Sequence, residues 1–160
     1  MLSNAQLESL YRSSRDDVYA FVARLVGRDA AEDVTATAFE RAFKRRDRHD
    51  DSRGTPRAWL FGIARNAALD ELRRRGPEQS VDEVPEPDQA GESMAEVAVR
   101  RATLVRELRE LDPSDRELIA LRFHGGLSHG DIATVLDITE TNAGTQLHRA
   151  IGRLRERLNA

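Results

Sequence analysis

The sequence predicts an all-α protein: two small helical domains joined by an acidic flexible linker, with a helix-turn-helix in the C-terminal domain. Three observations carry this. Apolar residues recur at steps of three and four along most of the 160-residue chain, and no segment makes a convincing strand. Positions 76–93 hold three of the five prolines and only Val81 and Val84 as sizeable apolar side chains, too little burial to offset the entropy of ordering them. Residues 127–150 read as two helices joined by a tight turn. The boundaries that follow are 1–76, 77–93 and 94–160.

In the first domain, Leu7, Leu10, Tyr11, Ser14, Val18, Phe21, Val22 and Leu25 share one face of a helix that Gly27 ends. Asp29-Ala-Ala-Glu32 has the spacing of a capping box and starts a second helix. The apolar side of that helix is Val34, Ala38, Phe39, Ala42 and Phe43. A polar loop from Arg46 to Gly54 follows, in which His49 reads as a loop residue without special chemistry. Thr55 and Pro56 supply an N-cap and a first-turn proline. The third helix they open runs through Trp59, Leu60, Ile63, Ala64, Ala67 and Leu72 to Gly76. Trp59 has a ring that can stack on a base, but its register with Ile63 places it in the core.

The second domain begins with helices from about Met94 to Leu111 and from Ser114 to Phe123. Ser128 caps the next, with Asp131 at the capping-box position and Ile132, Ala133 and Leu136 as the apolar side. After the turn Leu136-Asp137-Ile138, Thr139 caps the last helix, where Ala143, Leu147, Ile151, Leu154 and Leu158 must be buried. Asn142, Thr145, Gln146, Arg149 and Arg153 fall on the opposite face. These side chains donate to base edges and phosphates, and the geometry is that of a DNA-binding helix-turn-helix. A polar face opposite an apolar stripe is also what an ordinary surface helix presents, so this pattern does not decide the matter alone.

Charge distribution is more telling than the net charge of −3. Between Arg41 and Arg75 stand eleven Lys/Arg and five Asp/Glu, a balance of +6; between Pro77 and Val97 stand seven Asp/Glu and no Lys/Arg. A basic helical block suits nucleic acid, and an acidic tether is repelled by it. The chain has no cysteine, which excludes disulfides and thiolate metal sites. Its four histidines, His49, His124, His129 and His148, show no metal-ligand spacing, and there is no phosphate-binding glycine loop or nucleophile motif. No enzyme activity, catalytic residue, metal or cofactor is expected. No apolar run approaches the roughly 20 residues that span a bilayer, and the N-terminal residues lack the pattern of a signal peptide. A cytoplasmic protein with no membrane insertion is expected, with His124 and His129 on its surface.

Two blocks carry a resemblance. Asp29-Ala-Ala-Glu-Asp-Val-Thr-Ala-Thr-Ala-Phe-Glu-Arg-Ala-Phe43 and Thr55-Pro-Arg-Ala-Trp-Leu-Phe-Gly-Ile-Ala-Arg-Asn-Ala-Ala-Leu-Asp-Glu-Leu-Arg-Arg-Arg75 resemble region two of bacterial extracytoplasmic-function (ECF) sigma factors. Leu111-Asp-Pro-Ser-Asp-Arg-Glu-Leu-Ile-Ala-Leu-Arg-Phe123 and the helix-turn-helix resemble region four of the same family. The resemblance covers nearly the whole chain except the linker. It implies a transcription initiation subunit that binds core RNA polymerase, recognises −10 and −35 promoter elements and assists DNA melting.

The resemblance also implies roles for particular residues. The helix matching Asp29 to Arg45 would dock on the clamp helices of the largest polymerase subunit through Glu32, Asp33, Val34, Phe39, Glu40 and Arg41, with the flap as a further polymerase contact. The loop after it and the next helix would read the −10 element on an unstacked strand, with Arg48, Arg53, Arg57, Arg65, Asn66, Arg73 and Arg74 as donors. The last helix would read the −35 element through Asn142, Thr145, Gln146, His148, Arg149 and Arg153. Here the chain departs from the family, which commonly has a Thr-Val-Lys-Ser-Arg-like run where this sequence has Asn142-Ala-Gly-Thr-Gln146. Losing two cations lowers the salt slope by roughly 2, and Gly144 and Gly152 cost about 1 kcal/mol each relative to alanine. Weak or unusual −35 recognition is the expectation. Asp137 stands where the family's turn usually has glycine. The acidic linker would pass through the polymerase near the active site and RNA exit path, and an anti-sigma protein is a possible partner. The alternatives are a two-domain operator-binding regulator, which has no reason to carry the 29–43 and 55–75 blocks, and a helical interaction module, against which the +6 block argues.

Overall fold

A computed structural model describes residues 1–76 and 94–160; the acidic linker expected at 77–93 lies outside the described residues. Among these, the chain is helical and contains no strand, in a two-domain architecture. Helices α1 (Asn4–Val26), α2 (Arg28–Lys44) and α3 (Pro56–Arg75) form the first domain, and α4 (Met94–Glu110), α5 (Pro113–Ile119), α6 (His129–Leu136) and α7 (Glu140–Leu158) the second.

Local chemistry places most of the boundaries. Ser3 begins α1 with a full capping box, its hydroxyl accepting from the Gln6 N–H while Gln6 accepts from the Ser3 N–H. Gly27 ends the helix with φ 87°, a left-handed backbone that a side chain would oppose. The expected capping box at Asp29–Glu32 does not form. Gly27 is itself the N-cap of α2, so Asp29 lies one step inside the first turn, where its charge favours the helix dipole. Thr55 caps α3 as read, accepting from the Ala58 N–H at 3.1 Å with Pro56 behind it. Ser128 and Thr139 cap α6 and α7 in the same way. Asp137 adopts the left-handed conformation, φ 55° and ψ 49°, at the turn between them.

The helix expected from Ser114 to Phe123 is not uniform. After α5 it widens into one π turn over Ala120–His124, closed by the Gly125 N–H on the Ala120 carbonyl at 2.9 Å. Such a turn brings a carbonyl out of register and is often functional. Gly126, with φ 63°, then redirects the chain into α6.

One apolar core runs through both domains. Val18, Phe21, Val22, Leu60, Phe61 and Ala64 of the first meet Leu118, Leu121, Leu127, Ile132 and Leu147 of the second in a single buried cluster. Phe21 and Phe61 lie 5.6 Å apart, ring to ring, and Gly125 presses its backbone on the Phe61 ring, where a Cβ would stand 2.9 Å from Cε1. The expected burial of α7 holds for Ala143 and Leu147, is partial for Ile151 and Leu154, and fails at Leu158, which is 41% exposed in the last turn.

Candidate nucleic-acid interface

The loop predicted to read single-stranded DNA is more ordered by its neighbours than its composition suggests. Arg46–Arg48 form a single 3-10 turn, strapped from below by the Leu2 N–H on the Arg46 carbonyl at 3.0 Å, with the Leu2 side chain buried. His49 is not a plain loop residue. Its side chain is buried, its Nε2 pairs with Asp51 at 2.8 Å, and its ring meets Trp59 at 5.5 Å. Nδ1 of His49 is buried without a hydrogen-bond partner among the described residues. Trp59 is half-buried against the core, as its register implied. In the exposed part of the loop, Asp50 accepts from the Ser52 hydroxyl and N–H, which hold its carboxyl below the usual range.

The candidate −10 donors divide into three groups. Arg48, Arg53 and Asn66 are exposed. Arg73 and Arg74 are exposed but lean on carboxylates of their own helix, Asp70 and Glu71. The Arg74 hydrogen bond holds the Glu71 carboxyl below its usual range, and Glu71 in turn holds Arg74 more firmly protonated. Arg57 and Arg65 are instead committed to the seam between the domains. Arg57 donates to Ser14 Oγ at 3.1 Å, to Asp17 Oδ2 at 2.6 Å and to the Gly125 carbonyl, with its guanidinium 5.1 Å from the Phe61 ring centre. Arg65 pairs with Glu117 of α5.

On α2, the surface predicted for the polymerase loses one member. Val34 is only 6% exposed and packs in the core, so its side chain is not free to meet a partner. Glu32 and Asp33 are exposed, Glu40 pairs with Lys44 at 2.8 Å, and Arg41 reaches Asp70 of α3 at 2.9 Å. Phe39 is half-buried, edge-on to Tyr11 with ring centres 4.8 Å apart. Phe43, read as part of the apolar core side, is 54% exposed with the Arg46 guanidinium 4.6 Å over its ring.

The α7 face is as the periodicity predicts at its N-terminal end. Asn142, Thr145, His148 and Arg149 are exposed, while Gln146 is half-exposed and donates to Asn142 at 3.0 Å. Arg153 is tied back to the buried Asp115, with one nitrogen 2.9 Å from each carboxylate oxygen. That bond braces α5 on α7 and limits what Arg153 can offer DNA. Gly144 approaches the His129 ring, where a Cβ would lie 3.4 Å from Nδ1.

His124, expected on the surface, ends the π turn half-buried with its Nδ1 unpartnered. Burial, helped by the nearby Arg24 charge, pushes its pKa down to about 4. Among the described residues, no group of His, Asp and Glu is placed to hold a metal, and no helix is long and apolar enough to cross a membrane.

Comparisons with known proteins converge on one family. Residues 10–78 match the family model for sigma-70 region 2, and residues 101–154 match that for sigma-70 region 4. The chain is 32% identical over 155 residues to the ECF RNA polymerase sigma factor SigL of Mycobacterium tuberculosis, covering 94% of this chain and 88% of the relative. It is 29% identical over 161 residues to the ECF RNA polymerase sigma factor SigM of Bacillus subtilis, covering 96% and 95% respectively. Its fold is shared with the sigma factor RpoE from Bartonella quintana, solved with the anti-sigma factor NepR, at a TM-score of 0.76 and 24% identity over 96% of both chains. CnrH, solved with the cytosolic domain of CnrY, shares the fold at a TM-score of 0.70 and 23% identity, over 98% of this chain and 90% of that one.

Proposed function

This chain belongs to the ECF RNA polymerase sigma factors, and from that premise we propose how its parts divide the work of promoter-specific initiation. Residues 1–76 bind the core enzyme and the −10 element, 77–93 tether, and 94–160 read the −35 element. The exposed groups Glu32, Asp33 and Glu40, with the half-buried Arg41 and Phe39, meet the clamp helices of the largest subunit; Phe43, exposed beside them, is the added apolar anchor. The flap is the contact of the second domain.

The observation that carries this reading is the order along one chain of a cationic α3, opened by a capped N-terminus at the −10 loop, and a capped helix-turn-helix. An operator-binding regulator has no use for the first of these. Opening DNA requires bases out of the stack, at a few kcal/mol each, so the strand must gain several contacts at once. Arg48, Arg53, Asn66, Arg73 and Arg74 offer them, and Arg57 and Arg65 join once freed. On α7, Asn142, Thr145, Gln146, His148 and Arg149 reach base edges and phosphates, with Arg153 as a contact limited by Asp115. Asp82, Glu83, Glu86 and Asp88 make the tether acidic enough to occupy a channel built for nucleic acid, from which the transcript must displace it. An anti-sigma protein covering the polymerase-binding surface is a candidate regulator, and the cytoplasm the site of action.

Run-off transcription with purified bacterial core polymerase, on the promoter of the chain's own operon, tests the proposal. Defined transcripts that depend on this protein are expected. Failure to bind core at all would overturn it.

A further inference from the structure

Arginines and an asparagine are the strand-reading groups expected of the 46–54 loop and of α3; the structure places an acceptor among them. At the crest of the loop the Arg53 N–H closes a turn on the Asp50 carbonyl at 3.0 Å, and the Asp50 carboxylate holds Ser52 through its N–H and hydroxyl. Asp51 stands in that turn with its side chain 91% exposed, yet its Oδ1 is 2.8 Å from Nε2 of His49, whose side chain is only 2% exposed. A carboxylate can only accept, so Nε2 carries the proton of this bond. The His49 ring is itself packed, 5.5 Å from the Trp59 ring, with the Leu2 strap under the same loop.

A solvent-exposed carboxylate ordinarily samples many rotamers. Here a buried imidazole fixes it, and Oδ2 has no partner among the described residues. Holding it this way leaves His49 Nδ1 buried and unpartnered, a cost that calls for a compensating role. The exposed Arg48 and Arg53 flank Asp51 in sequence and attract phosphates. The carboxylate between them repels phosphates, so the groups of a strand that suit it are the N–H donors of bases. On its Watson–Crick edge guanine sets two such donors side by side, N1–H and N2–H. Adenine and cytosine each set a donor beside an acceptor, and thymine a donor between two acceptors. That edge is open only in a base that is unpaired and out of the stack. We propose that Asp51, positioned by His49, is a specificity-determining acceptor that selects an unstacked guanine in the promoter strand. The inference rests on the reading of the 46–54 loop as part of the −10 reader.

The full chain is titrated with labelled single-stranded oligothymidylates that carry one central guanine, adenine, cytosine or hypoxanthine, or thymine alone. The guanine strand is expected to bind about tenfold more tightly than the adenine, cytosine and all-thymine strands, within the range for a paired base contact. Hypoxanthine, which lacks the N2 amine, should fall between them. Asp51→Ala changes a side chain that is 91% exposed; it should remove the preference and bind the all-thymine strand no more weakly than the parent does. His49→Gln, whose amide nitrogen reaches the place of Nε2, should keep part of the preference. His49→Asn, whose amide nitrogen takes the place of Nδ1, should lose it. A merely structural role for His49 would instead weaken every strand alike in both variants. Equal affinity of the parent chain for all the strands would overturn the proposal, as would a guanine preference that survives Asp51→Ala. Arg48→Ala/Arg53→Ala separates the two readings. If it leaves every affinity unchanged, the assignment of the loop has failed and the proposal with it; if it weakens all strands while the parent shows no guanine preference, the Asp51 contact alone has failed.

Discussion

The Arg57 guanidinium and the Gly125 carbonyl are 68 residues apart in sequence and joined by a hydrogen bond across the seam between the two domains. Arg57 also binds Ser14 and Asp17 of α1, so one side chain ties α1, α3 and the π turn together.

Truncating that side chain therefore costs stability as well as the DNA contacts proposed for it. Arg57→Ala is expected to lower the free energy of unfolding by about 2 kcal/mol, the range for hydrogen bonds to a charged group. Arg57→Lys should recover only part of it, because an ammonium cannot reproduce the fork that reaches three acceptors. Urea denaturation followed by circular dichroism checks both. An unchanged midpoint for Arg57→Ala would show that the Arg57 hydrogen bonds add nothing to stability.

Recognition of the −35 element should be improvable. In Gly144→Lys/Gln146→Arg, two cations return to the face of α7, and the slope of log K against log salt should steepen by about 2. The new Cβ at 144 would meet the His129 ring at 3.4 Å, the edge of ordinary van der Waals contact. Affinities of parent and variant for a −35 duplex, measured across a salt series, decide this; parallel slopes would refute it.

Stability should fall on mild acidification. His124 has its pKa lowered from 6.5 to about 4 by burial, so between those values the unfolded chain binds the proton and the folded chain does not. The contribution is complete above about pH 6.5 and is lost as pH falls toward 4. Carboxyls held low, such as Glu71, act in the same direction but below their ordinary pKa of 4.5. Between pH 7 and pH 5 the urea midpoint should drop, and His124→Gln should flatten that drop. Equal drops in both proteins would exclude His124 as the source.

The strap under the 46–54 loop can be tested separately. Leu2→Ala removes a side chain that is only 4% exposed, and about 2 kcal/mol is expected from the lost packing. Amide exchange should quicken at residues 46–49 and stay unchanged in α7. Uniform acceleration throughout the chain would mean that Leu2 supports the whole domain and has no special hold on the loop.

Features set by neighbours in the chain were legible beforehand. Thr55, Ser128 and Thr139 cap their helices because a hydroxyl reaches the N–H three residues on whatever lies around it. Asp137 turns the chain because its short polar side chain tolerates a left-handed backbone. The Asp29 box misled because Gly27 already ended one helix and began the next, leaving no room for a separate cap. His49 and His124 misled for another reason: each is covered by elements distant in sequence, Trp59 and the Leu2 strap in one case and α1 in the other. Spacing alone carries no record of such cover.

The sequence by itself determined the helical class, the caps of α3, α6 and α7, the two domains and, through two blocks of residues, the family. Periodicity and capping act over a turn or two of helix, so they are written locally. Only the tertiary structure decided which cations are free. Arg48 and Arg149 face outward, while Arg57, Arg65 and Arg153 are held by groups 38 to 68 residues away. An arginine looks the same in a sequence whether its partner is a phosphate or an acceptor of its own chain; packing of α1 and the π turn at Arg57, and of α5 at Arg65 and Arg153, makes that choice.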